Sequence, residues 1–418
     1  MKNCSPSKLI LTSFSTRAAA DTFLNLGNID LYSFDYFGDL DLTEFVISSF
    51  SLKKQNLDFK TELLFKAIKE FLINNPDKQY NLIYGSDWDH KPELLNELEK
   101  IENLKLRGNS AAVISQLNKK ETLIDLFQLA KSSGFKTPEL FLKAKDLKKI
   151  KNKDIKDLII KPYHSGGGLD LRVINSEKNF DYIFNEKKEN FYLQEFIEGE
   201  SRSCQFAADS TKAEILSFTR ELKATNIDQK SENNFKYGGN ILIKENEKER
   251  KIIRKFINKL TKKYSLQGIN GIDYIKNEKG IFFIELNPRF TAAVELLRPI
   301  YQEELLNIYF SNQLTTNYLK KYLQQDLAFN IKAIYYAEKD FTVKKDLRDI
   351  LEEIKKERIN KLSSVFDLKI KDLPEIGEHF TAGEPVFTLL FKAENEKNYL
   401  EIKDLIFSDF TVYFRKLA

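Results

Sequence analysis

Short apolar runs alternate with longer stretches of helical spacing through the first quarter of the chain. Lys8–Ser13 reads as a strand, and Ser15-Thr16-Arg17-Ala18-Ala19-Ala20 opens a helix with Ser15 or Thr16 as its N-cap. Ile29–Phe34 reads as a second strand ending at Asp35. Strand, helix and strand in so short a span make a βαβ unit. A helix follows over Thr61–Ile73, then a third strand, Asn81–Tyr84, runs into Gly85-Ser86-Asp87-Trp88-Asp89. Pro92, with Glu93 behind it, suits the first turn of the next helix. Residues 1–110 therefore read as a small parallel α/β domain. In such folds ligands lie at the carboxyl ends of the strands, which makes Ser15, Arg17, Asp35 and Asp87 candidate substrate contacts, with caps and turn formers as the alternative.

Further along, Thr122–Ser132 reads as a helix stopped by Gly134, and Glu247–Tyr264 as an amphipathic surface helix with a lysine face. From about residue 330 the pattern turns strand-rich again, at Ile331–Ala337, Asp372–Phe380 and Gly383–Phe391, with Pro385 where an edge strand would begin. The chain is long for one core, and breaks are expected near residues 110 and 328.

The densest chemistry lies in Gly271–Leu297. Two apolar strands, Ile272–Ile275 and Ile281–Leu286, flank the polar loop Lys276–Gly280, a hairpin pattern. Asp273 sits on the first strand, with Glu285 and Asn287 on one face at the end of the second. In a hairpin Asp273 can lie opposite them. Two carboxylates and an amide oxygen at one point are hard-oxygen ligands of the kind that hold Mg²⁺ (or Mn²⁺) beside phosphates. Pro288 ends the strand, and Arg289 follows where a guanidinium can grip a phosphoryl oxygen.

A second motif begins at Asp157. An apolar strand delivers Lys161, Pro162 stops the pairing, and Ser165-Gly166-Gly167-Gly168 follows as a loop before the next strand. Glycines let backbone N–H groups close on phosphates, and the lysine supplies a point charge for them. His164 beside the glycines reads as a loop residue. Phe191–Phe206 reads as strand, turn, strand, and Arg220 and a Tyr237-Gly238-Gly239-Asn240 turn are candidates to line the site from the side.

Composition narrows the partners. There are 66 basic and 62 acidic residues, interspersed, for a net charge of +4. Lys-rich runs such as Lys143–Lys156 carry interleaved aspartates, so nucleic acid is not expected as a partner. No apolar run approaches the ~18 residues of a membrane span, and Cys4 and Cys204 make no metal or disulfide framework. These features suit a cytoplasmic protein. The first strand-to-helix turn, SFSTRAA, lacks the glycine fingerprint of dinucleotide binding.

Asp273 followed twelve residues later by Glu-Leu-Asn-Pro-Arg resembles the metal-binding signature of the ATP-grasp superfamily, and Lys161-Pro162 with its glycine loop resembles that superfamily's phosphate lid. The resemblance implies an α/β fold of the α+β ATP-grasp type: a parallel α/β pre-ATP-grasp domain (1–110), a two-lobed ATP-grasp domain (111–328, lid lobe about 135–200 and metal-site lobe about 201–328) and a small strand-rich C-terminal module (329–418). It also implies that Glu195, Phe196 and Ile197 seat adenine, that Glu198 or Glu200 takes the ribose, and that Lys119 or Lys120 reaches the nucleotide. The implied activity is that of an ADP-forming ligase, which uses ATP to activate a carboxylate as an acyl phosphate and joins it to an amine. Lys161 and Arg289 would be its catalytic cations, and small-molecule carboxylates and amines its substrates. A homodimer would fit such enzymes. The YGGN element is similar to a biotin-carboxylase-like branch of carboligases associated with tetrahydromethanopterin and methanofuran one-carbon metabolism. A non-catalytic ATP sensor and a carboxylase working through carboxyphosphate are the alternatives.

Overall fold

The computed structural model describes residues 7–24, 26, 28–142, 158–163, 171–174, 191–224, 235–311, 314, 317–325, 329–358, 361 and 365–416. The β-branched and aromatic runs of the first hundred residues form a five-stranded sheet whose strands all run parallel. In spatial order these are Ser48–Ser51, Ile29–Asp35, Ser7–Thr12, Tyr80–Tyr84 and Leu104–Arg107. The chain winds one way from Ser7–Thr12 and then the other, so the order reverses between that strand and Tyr80–Tyr84. A crevice at such a reversal is where doubly wound sheets bind ligands. The helices Thr61–Ile73 and Pro92–Glu99 form as the spacing predicts, the second with proline in its first turn. The helix after the first strand is Arg17–Phe23. Thr16 stands at its N-cap position, but the hydroxyl goes to Ser33 and Asp35 instead of capping the helix.

A four-stranded antiparallel sheet holds Leu140–Phe141, Phe191–Glu195, Leu158–Pro162 and Arg172–Ile174, in that order, around a small core of Phe141, Leu158, Ile160, Ile174, Phe191 and Leu193. The third sheet has eight antiparallel strands, in the order Gly280–Asn287, Gln267–Asn277, Glu200–Asp209, Ala213–Lys223, Tyr237–Ile243, Phe329–Tyr336, Pro385–Ala393 and Val365–Lys371. The pair expected within Phe191–Phe206 thus belongs to two sheets, and residues 196–199 are the turn between them. Three expectations are corrected. The Tyr237–Asn240 segment is strand, because Gly238 and Gly239 let the backbones of Lys223 and Lys332 pass where a Cβ would collide. Asp372–Phe380 is mostly turn, with only His379–Phe380 pairing to Phe341–Thr342. Pro385 opens an interior strand, tolerated because its neighbour Val365–Lys371 stops pairing at Thr388.

The largest core is shared. Leu9, Leu11, Phe23 and Leu31 of the first sheet's layer pack in one cluster with Phe206, Phe218, Ile272 and Phe283 of the eight-stranded sheet, roofed by Ile253, Phe256 and Leu260 of the helix Glu247–Tyr264. Asn109 pins the two layers together. Its amide donates to Asn270 Oδ1 (2.7 Å) and the Pro288 carbonyl (2.8 Å) and accepts from the Gln267 N–H (2.8 Å).

Candidate active site

The hairpin is longer than expected, Gln267–Asn277 paired with Gly280–Asn287 around a two-residue tip, and its register sets Asp273 opposite Glu285 and Gly271 opposite Asn287. A bulge between Asp273 and Tyr274 interrupts the ladder at this point. Bulges re-aim side chains beside functional sites. Asn287 Nδ2 donates to Asp273 Oδ2 at 2.8 Å. Burial and the neighbouring charges of Glu285 and Glu221 push the Asp273 carboxyl far above the usual carboxylate range. Glu285 is held below that range: its side chain is 46% exposed, so the desolvation that opposes its charge is outweighed by the ammonium of Lys161. Two carboxylates facing each other, one of them reluctant to ionise, fit a hard divalent cation, which would restore both charges. Among the described residues no group of three or more His, Cys, Asp or Glu side chains is arranged around a metal position, so the candidate set is these two acids and an amide.

Lys161 arrives from the other sheet. Its strand, Leu158–Pro162, pairs with Phe191–Glu195 so that Lys161 lies against Tyr192, and its ammonium reaches Glu285 Oε2 at 3.0 Å. It is only 5% exposed. Burial opposes the charge, but Tyr192 and Glu285 together hold its pKa above the ordinary lysine value. Ser165, Gly166, Gly167, Gly168 and His164 lie outside the described residues.

Arg289 is fixed on two sides. Its Nε donates to Asp89 Oδ2 at 2.8 Å and its Nη2 to Asn287 Oδ1 at 3.3 Å. Asp89 belongs to the loop after Tyr80–Tyr84, so the ion pair ties the first sheet to the hairpin across 200 residues of sequence. At the proposed adenine edge, the Glu195 N–H donates to the Glu139 carbonyl at 2.9 Å, and the Glu195 carboxylate accepts the Glu139 N–H at 3.0 Å. Phe196 and Glu198 are exposed, and Ile197 is half-buried. Glu200 is occupied by Arg202 and Arg220. Lys119 precedes the helix Lys120–Ser133 and is exposed, while the Lys120 ammonium lies 4.6 Å from the Tyr163 ring centroid.

Several expected contacts lie elsewhere. Arg17 is 0% exposed and grips Asp372 and Glu295, so it is an internal ion pair and not a surface for substrate. Asp35 accepts the Thr16 N–H and hydroxyl and the Gly38 N–H, which makes it a turn anchor. Arg220 bonds Glu200 and the Tyr399 hydroxyl and, by strand alternation, faces away from its neighbours Thr219 and Glu221. Those neighbours were missed. Glu221, bonded by Ser201 Oγ at 2.7 Å, sits near enough for its charge to act on Asp273 and Glu285 without completing a cluster of three acids among the described residues, and Thr219 joins Ser203 and Asn240 in a polar row across the strands. The alternation Thr219-Arg220-Glu221 was the available signal.

Residues 118–293 match the family described as the ATP-grasp domain. An uncharacterized protein of Methanocaldococcus jannaschii is 22% identical over 94% of this chain and 90% of its own. A tyramine–L-glutamate ligase of the same organism is 29% identical over 57% of this chain and 67% of its own. Among solved structures, the biotin carboxylase domain of 2-oxoglutarate carboxylase from Hydrogenobacter thermophilus, determined with MgADP, ADP and bicarbonate, superposes with a TM-score of 0.67 at 14% identity. That likeness covers 94% of this chain and 87% of the other. The parallel N-terminal sheet, the antiparallel sheets behind it and the matched span agree: the chain carries an ATP-grasp domain and has the ATP-grasp fold.

Proposed function

We propose that this protein is an ADP-forming, Mg-ATP-dependent ligase that activates a carboxylate as an acyl phosphate and joins it to an amine. The observation that carries the reading is the convergence of Lys161, Asp273, Glu285, Asn287 and Arg289 from two sheets onto one place. The tyramine–L-glutamate ligase, whose name states an amine and a carboxylate, supports the reaction class, and the MgADP of the biotin carboxylase domain supports nucleotide and metal. Asp273, Glu285 and Asn287 would hold Mg²⁺, which neutralises phosphate charge when bound. Lys161 orients the phosphates, joined by the 165–168 loop. Arg289, already fixed by Asp89, presents its guanidinium to the charge that builds on the phosphoryl oxygens. Glu195–Ile197 seat the adenine edge, Glu198 takes the ribose and Lys119 reaches the nucleotide. The reading calls for no covalent nucleophile from the protein, because the activated species is the substrate's own. Homodimer formation, and a place in one-carbon cofactor biosynthesis, belong to the same proposal.

Carboxylation through carboxyphosphate is the second reading, favoured by the likeness to a domain determined with bicarbonate. ADP release from Mg-ATP with pools of carboxylates and amines separates the two. Ligation needs both pools, whereas carboxylation needs bicarbonate and no second carboxylate. Glu285→Gln is expected to lower kcat/KM by about 10²–10³, the scale of losing one preorganised electrostatic group. Near-wild-type turnover in that variant would sink the metal assignment.

A further inference from the structure

We infer that the loop Gly85–Lys91 is a binding subsite for a primary amine in its protonated form, held by Asp87 and by the free carboxylate oxygen of Asp89. The inference takes the fate of that amine from the ligase reading, but the binding of an ammonium group stands on the loop itself.

Place is the first argument. The loop leaves the carboxyl end of Tyr80–Tyr84 at the point where strand order reverses in the parallel sheet. Ser13 and Ser86, just beyond the ends of the two strands flanking that reversal, meet there with their hydroxyls 3.1 Å apart. Gly85 allows the approach, since a Cβ at that position would lie 2.5 Å from Ser13 Oγ. Asp89, two residues beyond Asp87, is bonded to Arg289, which in turn bonds the proposed metal ligand Asn287. An acceptor seated here is therefore beside the phosphoryl-transfer site.

Charge is the second. Asp89 is 4% exposed. Its Oδ2 is used by Arg289, while its Oδ1, also buried, has no hydrogen-bond partner among the described residues. Buried carboxylate oxygens without donors are unfavourable and uncommon, so this one marks a place for a donor. Asp87 is half-buried and makes no side-chain hydrogen bond among the described residues. Burial and the charge of Asp89 raise its carboxyl above the usual range. Of the cations acting on Asp87, Lys91 turns to Glu62 at 2.7 Å, the other Arg289 nitrogens go to Asn287 and the Phe290 carbonyl, and His90 of the same loop offsets only part of the acidic charge, since the Asp87 carboxyl still lies above the usual range. An alkylammonium brings three donors and one positive charge, which matches two under-used carboxylates. An anionic acceptor would be repelled.

The test uses the full chain and two readouts. The first is thermal unfolding with propylammonium chloride against 1-propanol at matched ionic strength. Near its Kd the ammonium should raise Tm by about 1 °C while the alcohol does not, and Asp87→Asn should abolish the rise. Asn tolerates the left-handed backbone at this position (φ 73°) as Asp does, so the variant keeps the loop. The second readout is ligation with Mg-ATP, a carboxylate pool and either propylamine or hydroxylamine, the latter neutral at neutral pH. Asp87→Asn and Asp89→Asn should raise KM for propylamine by about tenfold more than for hydroxylamine, a one-charge difference in recognition. Equal losses for both nucleophiles, or a Tm rise that survives Asp87→Asn, overturn the subsite. No product with any acid in the wild type, together with an intact Tm response, would overturn the ligase reading and leave the subsite standing.

Discussion

Arg17 offers the sharpest physical test of how the molecule is held together. Its guanidinium is fully buried between three parts of the chain. Nε and Nη2 hold Asp372 at 2.7 and 3.0 Å, and Nη1 and Nη2 hold Glu295, with Nη2 at 3.2 Å from Oε2. Lys332 is the second partner of Glu295 at 2.9 Å. Arg17→Met would leave Glu295 with one cation and Asp372 with none in contact among the described residues. Removing one member of a buried ion pair typically costs about 3–5 kcal/mol, because the partner stays buried and charged. Lys332 still compensates Glu295, so a loss near the lower end, about 3 kcal/mol, is expected. Urea unfolding followed by fluorescence and by circular dichroism measures it, and divergence of the two curves would show the first sheet separating from the rest. Adding Asp372→Asn to Arg17→Met should recover part of the loss, since a neutral group carries a smaller desolvation penalty, while Glu295 keeps its partner Lys332. A loss below about 1 kcal/mol would refute the reasoning, because that is the scale of a solvent-exposed pair.

Two further outcomes follow from the same geometry. Gly239→Ala puts a Cβ 1.9 Å from the Lys332 carbonyl oxygen at a backbone φ of 122°, so it should part Tyr237–Ile243 from Phe329–Tyr336 and expose the following strands to limited proteolysis. The pH profile of stability should peak near pH 4, measured by urea unfolding from pH 2 to 8. On the alkaline side, burial raises the Asp35 and Asp41 carboxyls to about 6, so the folded state binds more protons than the unfolded and loses stability as pH climbs from about 4 through 6. On the acid side Glu245 is held at about 2. Burial opposes this, but hydrogen bonds from Glu249, Arg202 and Tyr274 prevail, so its contribution, present above pH 4, is lost as pH falls through 2.

The parts of the site that could be read in the sequence are those where one strand carries its own logic. Asp273, Glu285 and Asn287 are polar breaks in an apolar alternation, and a hairpin allows few registers, so their meeting follows from period and loop length. Lys161 is similar, a charge on an apolar strand stopped by proline. What escaped was long-range. Nothing near Arg289 announces Asp89, because the two come together only when the first sheet docks on the hairpin. Arg17 looked like a substrate contact because it stands at a strand end. Only the docking of Asp372, 355 residues away, turns it inward. The glycine pair at Gly238–Gly239 suggested a turn, since a turn and a close backbone crossing call for the same residue.

The way the parts are joined bears on what the site can do. Acyl transfer needs the acceptor, the activated carboxyl and the metal held to within about half an ångström, so their supports must not move against one another. Here the loop Gly85–Lys91, the segment from Asn109 to Asn118 and the hairpin are tied to one another by separate bonds. Arg289 binds Asp89, Asn118 Nδ2 binds the Asp89 carbonyl at 2.9 Å, and Asn109 binds both Asn270 and the Pro288 carbonyl. The shared core beneath them includes residues of both sheets. Those groups form one connected frame. Lys161 stands on a different sheet with its own small core, and it reaches the frame through Glu285. On the proposed reading this separates two tasks: the frame would fix acceptor and metal relative to each other, and the smaller sheet would bring Lys161 to the phosphates.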